Sequence, residues 1–93
     1  MDKTFEAILW KTGASIVFTV PSKLSKDMDL KYFEGQLDIT VAVGGESFKI
    51  LKRPWKCGGS MVVTVPSEYI EGYGLDKYVR SKNKLKFTLR IRD

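Results

Sequence analysis

The side chains that could do chemistry in this chain are suited to binding phosphate rather than to catalysis. The sequence contains no histidine and a single cysteine, Cys57. A nucleophile without a base beside it is weak, and one cysteine can form neither an internal disulfide nor a zinc site. The nearest carboxylates form two pairs beside short predicted helices, where acids are commonly solvated or capping groups. These pairs are Asp27/Asp29 and Glu68/Glu71. We therefore predict a protein that is not an enzyme and that uses no metal or cofactor.

The basic side chains are distributed unevenly along the chain. Residues 1–48 carry five Lys and Arg against seven Asp and Glu, a net charge of −2, whereas residues 49–93 carry eleven against four, a net charge of +7. Clustered lysine and arginine release counterions when they meet phosphates, so the second half predicts a polyanionic partner. A solvated lysine-rich surface has the same composition, and charge alone does not separate the two interpretations.

A stretch of thirteen residues occurs twice, at an offset of 45. Residues 10–22 align with residues 55–67, and nine of the thirteen positions are identical. The match then thins, and it returns three residues out of step where Leu37–Val41 aligns with Leu85–Leu89. We predict one domain over residues 1–93 that consists of two repeats, about 3–45 and 46–93. Neither repeat can bury its apolar side chains alone, so the two are expected to share one core.

Each repeat has the pattern of a strand, a turn, a second strand, a short helix and a third strand. The strands of the first repeat are predicted over Lys3–Trp10, Ser15–Val20 and Gln36–Val43. In the second strand, alternation predicts one inward and one outward face. The inward residues are Ile16, Phe18 and Val20, and the outward ones are Val17 and Thr19. A charge at Phe18 or at its equivalent Val63 should therefore unfold the domain, whereas substitutions of Val17 or Val62 should be tolerated.

The other elements follow from capping, helical and strand patterns. Ser22 is a predicted N-cap of a helix whose buried side carries Leu24 and Met28. Gly44-Gly45 predicts a hairpin to a return strand over Glu46–Leu51. In the second repeat, a short helix begins at Ser67, and the last strand covers Lys84–Arg92. Its predicted inward residues are Leu85, Phe87, Leu89 and Ile91. The sum of these elements is a mainly β fold with short helices.

These patterns together resemble a known family. Lys11-Thr12-Gly13-Ala14-Ser15, a strand that ends at Val20-Pro21, a short helix, and the strand and hairpin over Gln36–Leu51 resemble the AbrB/MazE-like (SpoVT-AbrB) swapped-hairpin DNA-binding proteins. Lys56-Cys57-Gly58-Gly59-Ser60 through Val65-Pro66 resembles the same pattern a second time. In that family two short chains interlock hairpins into one β-barrel. The resemblance implies both protomers in one chain, as an intramolecular pseudo-dimer with a swapped-hairpin-like β-barrel.

The resemblance also implies a function, namely double-stranded DNA binding and transcription regulation. The turn between the first two strands and the outer face of the second strand would meet DNA. The implied DNA-binding residues are Lys11, Ser15, Thr19, Lys56, Ser60 and Thr64, with Lys52 and Arg53 adding charge beside the second turn. Thr19 and Thr64 stand where family members often carry arginine. A threonine cannot make the bidentate guanine contact of arginine, so sequence specificity is less secure than binding itself.

Two other functions stay open. A general nucleic-acid architectural or chromatin protein is favoured by the missing arginines and by the basic outward face of the last strand. This face carries Lys84, Lys86, Thr88, Arg90 and Arg92. An antitoxin-like protein-interaction module, with a toxin as partner, is less favoured because MazE-type antitoxins usually continue into an acidic tail, whereas this chain ends at Asp93.

The remaining aromatic residues and the apolar runs give further expectations. Trp10 and Trp55 lie at strand ends and are predicted to pack in the core or to cover the end of the barrel. The four tyrosines are predicted core and rim residues, with a stacking platform for single strands as the alternative. No apolar run approaches the length of about 18 residues that a membrane span needs. We expect a cytoplasmic protein that folds as a monomer and has no membrane partner.

Overall fold

The computed structural model describes residues 2–91, which form a mainly β structure with short helices, as predicted. In chain order the elements are β1 (Asp2–Ala7), β2 (Leu9–Thr12), β3 (Ser15–Thr19), α1 (Ser22–Asp27), a 3₁₀-helix (Leu30–Tyr32), β4 (Leu37–Val43), β5 (Glu46–Lys52), β6 (Trp55–Cys57), β7 (Ser60–Thr64), α2 (Ser67–Gly72), α3 (Asp76–Ser81) and β8 (Leu85–Ile91). None of these helices combines the length and apolar character needed to cross a membrane. Arg92, the end of the predicted last strand, lies outside the described residues.

The strands form two antiparallel four-stranded sheets. Sheet A has the order β1-β8-β4-β5, and sheet B has the order β2-β3-β7-β6. The single strand predicted over Lys3–Trp10 is wrong, because the chain leaves sheet A after Ala7 and enters sheet B at Leu9. In the second repeat the same crossing occurs at Arg53-Pro54. Pro54 has no backbone N–H to donate to a ladder, which favours the break between β5 and β6.

The predicted closed β-barrel is also wrong. Within residues 2–91, β1 and β5 are the edge strands of sheet A, and β2 and β6 are the edge strands of sheet B. The bends between β1 and β2 and between β5 and β6 interrupt the hydrogen-bond ladder at the corners. Two open sheets therefore pack against each other, as in a sandwich.

Both repeats contribute to both sheets in the same way. The equivalent strands are β1 and β5, β2 and β6, β3 and β7, and β4 and β8. Exchanging the equivalent strands reverses the order of each sheet and changes nothing else. The central pairs, β4 with β8 and β3 with β7, each join one strand from each repeat. Equivalent residues face each other there, since Phe18 lies opposite Val63 and Thr40 lies opposite Thr88. An approximate twofold axis therefore relates the strands of one repeat to those of the other.

The core lies between the sheets and draws on both repeats. The Phe18 ring of sheet B stacks on the Phe87 ring of sheet A with centroids 4.0 Å apart, and Phe5 stacks on Phe87 at 5.4 Å. The inward residues predicted for β4 are buried, as are those of β8 except the half-buried Ile91. Burying each large apolar side chain contributes about 1.5–3 kcal/mol, so this shared cluster is a main source of stability.

Val17 and Val62 differ from the prediction. They lie on the outer face of sheet B, away from Phe18, as alternation requires, but both are fully buried. Trp10 pairs with Val17 across β2 and β3, and its indole Nε1 donates to Thr19 Oγ1 at 2.9 Å. The indole must therefore lie alongside Val17. We conclude that tryptophan covers these valines, and their burial argues against the predicted tolerance to substitution.

The helices pack beside the hairpins of the opposite repeat. α1 contacts β7, and α3 contacts β2. Leu24 and Met28 are half-buried against the core, as predicted. Ser22 is the first residue of α1, but the helix has no side-chain cap hydrogen bond, so its predicted N-cap role is wrong. The α3 helix has no counterpart in the sequence-based prediction.

Candidate nucleic-acid interface

The outer face of sheet B brings together four of the predicted DNA-binding residues. Strand alternation and register place Ser15, Thr19, Ser60 and Thr64 on this face. Trp10 and Trp55 lie on it too, rather than in the core or over the end of a barrel as predicted, and Trp55 is 38% exposed. The face is therefore a surface of hydroxyl groups and indole rings over two buried valines.

The two tryptophans orient the threonine hydroxyls. Trp10 Nε1 donates to Thr19 Oγ1 and Trp55 Nε1 donates to Thr64 Oγ1, both at 2.9 Å. A hydroxyl has one proton and two lone pairs, so each threonine that accepts an indole N–H keeps its own proton. That proton is free to be donated to a phosphate or base oxygen.

The two tight turns of sheet B lie at its opposite ends. Gly13 and Gly58 have φ angles of 59° and 61°, a left-handed conformation that glycine adopts without strain. Because β3 and β7 are antiparallel and Val17 pairs with Thr64, extending this register beyond the paired residues puts Gly58 about ten residue spacings from Gly13 along the strands. At about 3.3 Å per residue, the turns are roughly 30 Å apart along the strands.

The two predicted lysine anchors lie on the other side of sheet B. Lys11 pairs with Ile16, and alternation puts both on the side of Phe18. Lys56 pairs with Met61 on the side of Val63 in the same way. Both lysines are exposed beside the turns. The predicted site is thus divided, with hydroxyl groups on the outer face and ammonium groups on the inner side near the turns.

Arg53 and Lys52 are not beside the second turn. Lys52 ends β5 in sheet A, opposite Leu37. The Arg53 guanidinium donates two N–H groups to the carbonyl oxygen of Glu34, and the Nε bond measures 2.9 Å. Arg53 therefore ties the connection between β5 and β6 to the loop that follows the 3₁₀-helix.

Two equivalent clefts of about 310 Å³ each lie where a hairpin turn meets the helices of the other repeat. The first, the basic cleft, lies between the β6–β7 turn and α1. The residues that define it are Ser22, Ser25, Lys26, Lys31, Lys56 and Ser60, and its one acidic residue is Asp29. The second, the acidic cleft, lies between the β2–β3 turn and α2. Its charged residues are Glu71 and Asp76.

The charge of the clefts is reversed at equivalent positions. Lys26 aligns with Glu71 and Lys31 with Asp76, at the same offset of 45 as the identical stretch. The offset holds here because α1 and α2 start at Ser22 and Ser67 and because Leu30 and Leu75 are both fully buried. Sequence reasoning missed Lys26 and Lys31. Extending the repeat alignment beyond Ser22 would have found the reversal.

The positive charge on the outward face of β8 is offset in part by acidic neighbours. Arg90 lies between Asp2 of β1 and Asp38 of β4, and Lys86 lies opposite Glu6. Arg90 Nε is 2.7 Å from Asp2 Oδ1, and this hydrogen bond holds the pKa of Asp2 below its usual value. The acids of sheet A thus reduce the positive potential that the sequence predicted for this strand.

Comparisons with known proteins give no identification. The chain matches no protein-family model, no curated protein and no solved structure.

Proposed function

We propose that this chain is a double-stranded DNA-binding protein that regulates transcription, in the manner of the AbrB/MazE-like swapped-hairpin family. In this proposal its two repeats act as one intramolecular pseudo-dimer. The observation that carries the proposal is the pair of equivalent turns, roughly 30 Å apart, with hydroxyl groups on the sheet face between them. One turn of B-DNA spans about 34–36 Å, so a duplex presents the same groove edge at nearly this interval.

The chemistry of the face supports contacts to the DNA backbone. Threonine and serine hydroxyls bind phosphate oxygens, and the exposed Lys11 and Lys56 add charge beside each turn. Thr19 and Thr64 cannot make the bidentate contacts with which arginine selects guanine. We therefore expect modest preference between sequences, set by Ser15, Ser60, Thr19 and Thr64.

A general architectural role is the second candidate. It is favoured by the absence of arginine from β2, β3, β6 and β7, because backbone contacts alone do not select sequence. The version of this role that uses β8 has less support, since Asp2, Glu6 and Asp38 lie beside its basic residues. An antitoxin-like role has no specific support among the described contacts.

Duplex binding measured by fluorescence anisotropy at several salt concentrations tests the proposal. We expect binding by the native protein. The salt slope is the steepness with which log K falls as log [salt] rises, and each phosphate contact contributes about 0.9 to it. K11A/K56A should therefore reduce the salt slope by about 2. S15A/S60A should change the preference between duplex sequences more than the mean affinity. A K86Q/R90Q variant is the matched control and should bind as the native protein does. Loss of binding in this control, with K11A/K56A unaffected, would overturn the proposed interface.

A further inference from the structure

We propose that the basic cleft binds a phosphate group and that the acidic cleft does not, so that the two ends of the protein contact DNA unequally. The inference rests on the proposed DNA binding for the source of that phosphate. A free nucleotide carries the same group, and the experiment below separates the two sources.

The basic cleft collects positive charge from both repeats. Lys26 and Lys31 come from the helical segment of the first repeat, and Lys56 comes from the hairpin of the second. In the described part of the chain, no carboxylate lies within 4.0 Å of these ammonium groups. Their charge is therefore available to an anion from outside, and only Asp29 opposes it within the cleft.

Neutral donors and space complete the basic cleft. The hydroxyls of Ser25 and Ser60 line it together with the three lysines. Lys31 Nζ lies 5.7 Å from the centre of the Tyr32 ring, which is 77% exposed at the rim. Hydroxyl and ammonium groups are the usual partners of phosphate oxygens. At about 310 Å³ the cleft has room for a phosphate with its attached sugar.

The acidic cleft has the same position in the other half of the fold but the opposite charge. Glu71 and Asp76 replace Lys26 and Lys31, and each replacement changes the local charge by two units. A phosphate is repelled there. Two identical protomers of a symmetric dimer cannot differ in this way, whereas two repeats of one chain can change independently. The consequence is a protein with one strong and one weak DNA-binding end.

The test exchanges the cleft charges between the two repeats. K26E/K31D gives the basic cleft the residues of its counterpart, and E71K/D76K does the reverse. All four positions are exposed, and each new residue already occupies the equivalent position of the other repeat, so both variants should fold. Circular dichroism and thermal unfolding verify this. K49E/K84E changes the net charge as much as K26E/K31D at two exposed positions that line neither cleft, and it is the matched control.

We expect K26E/K31D to weaken binding to a 20-base-pair duplex at least tenfold and to lower the salt slope by about 2. E71K/D76K should tighten binding and raise the slope by about 1–2. The fold-loss of affinity in the control should be less than a third of the fold-loss in K26E/K31D. K56A should weaken binding more than K11A does. The inference would be overturned if K26E/K31D and the control lost equal affinity, or if E71K/D76K left the salt slope unchanged. Either result would leave DNA binding itself in place.

Titration with deoxyadenosine monophosphate, followed by NMR of the Gly59 and Ser60 amides, separates the two sources of phosphate. If the native protein does not bind duplex but shows amide shifts that K26E/K31D abolishes, the basic cleft is a phosphate site and DNA is not the source of its phosphate. Duplex binding that depends on Lys26 and Lys31 supports the backbone as the source. Absence of both duplex binding and amide shifts would refute the cleft and the proposed function together.

Discussion

The indole of Trp10 donates a hydrogen bond to the hydroxyl of Thr19 at 2.9 Å, across the outer face of sheet B. The second repeat repeats the bond between Trp55 and Thr64 at the same distance. These two bonds hold each indole over the neighbouring valine. Each threonine accepts the indole N–H and so keeps its own hydroxyl proton for a ligand.

The Trp10 bond should contribute measurably to stability. Trp10→Phe keeps an aromatic cover over Val17 but removes the N–H donor, and we expect a loss of about 0.5–1.5 kcal/mol in the free energy of unfolding. Urea denaturation of W10F, T19V and the double variant forms a cycle. A coupling energy near zero would show that the hydrogen bond does not stabilise the fold.

Burial of Val17 leads to a second prediction. Val17→Thr keeps the shape but buries a hydroxyl without a partner, and the expected cost is about 1–3 kcal/mol. Thr19→Ser, two residues along the same face, keeps the acceptor for Trp10 and serves as the control. Guanidinium denaturation measures both variants. If V17T proved as stable as the native protein, the outer face would be open to water at this position.

Arg53 should act on stability more than on DNA binding. Arg53→Gln weakens the bonds to the Glu34 carbonyl, so the loop at residues 33–36 should become more sensitive to proteolysis, with a loss of about 0.5–1.5 kcal/mol. Lys52→Gln, the adjacent basic residue, is the control for charge. A fall of about 1 in the salt slope of duplex binding, with unchanged proteolysis, would instead assign Arg53 to the DNA interface.

The chain should fold and function as a monomer. Both repeats contribute central strands to each sheet, so one polypeptide of 10.6 kDa holds the complete core. Sedimentation equilibrium over a hundredfold range of concentration should give the monomer mass throughout, with unfolding independent of concentration. A constant dimer mass, with unfolding promoted by dilution, would indicate exchange of strands between chains.

Local patterns predicted the parts of the fold that depend on neighbours in the chain. The alternation of Leu37 to Val43 identified both faces of β4, because a strand presents successive side chains to opposite sides whatever its partners are. The hairpin at Gly44-Gly45 followed from the two glycines between alternating strands. The repeat of Trp10 to Ser22 predicted the equivalent strands β3 and β7.

Long-range packing decided the features that these patterns could not contain. Alternation places Val17 and Phe18 on opposite faces of β3, but it does not predict that an indole from β2 covers Val17. The sequence likewise separates Lys26 from Lys56 by 30 positions, and only the packing of α1 beside the hairpin of the other repeat brings them into one cleft. Strand order and helix packing depend on which apolar faces meet in the shared core, a property of the whole chain and not of any short segment.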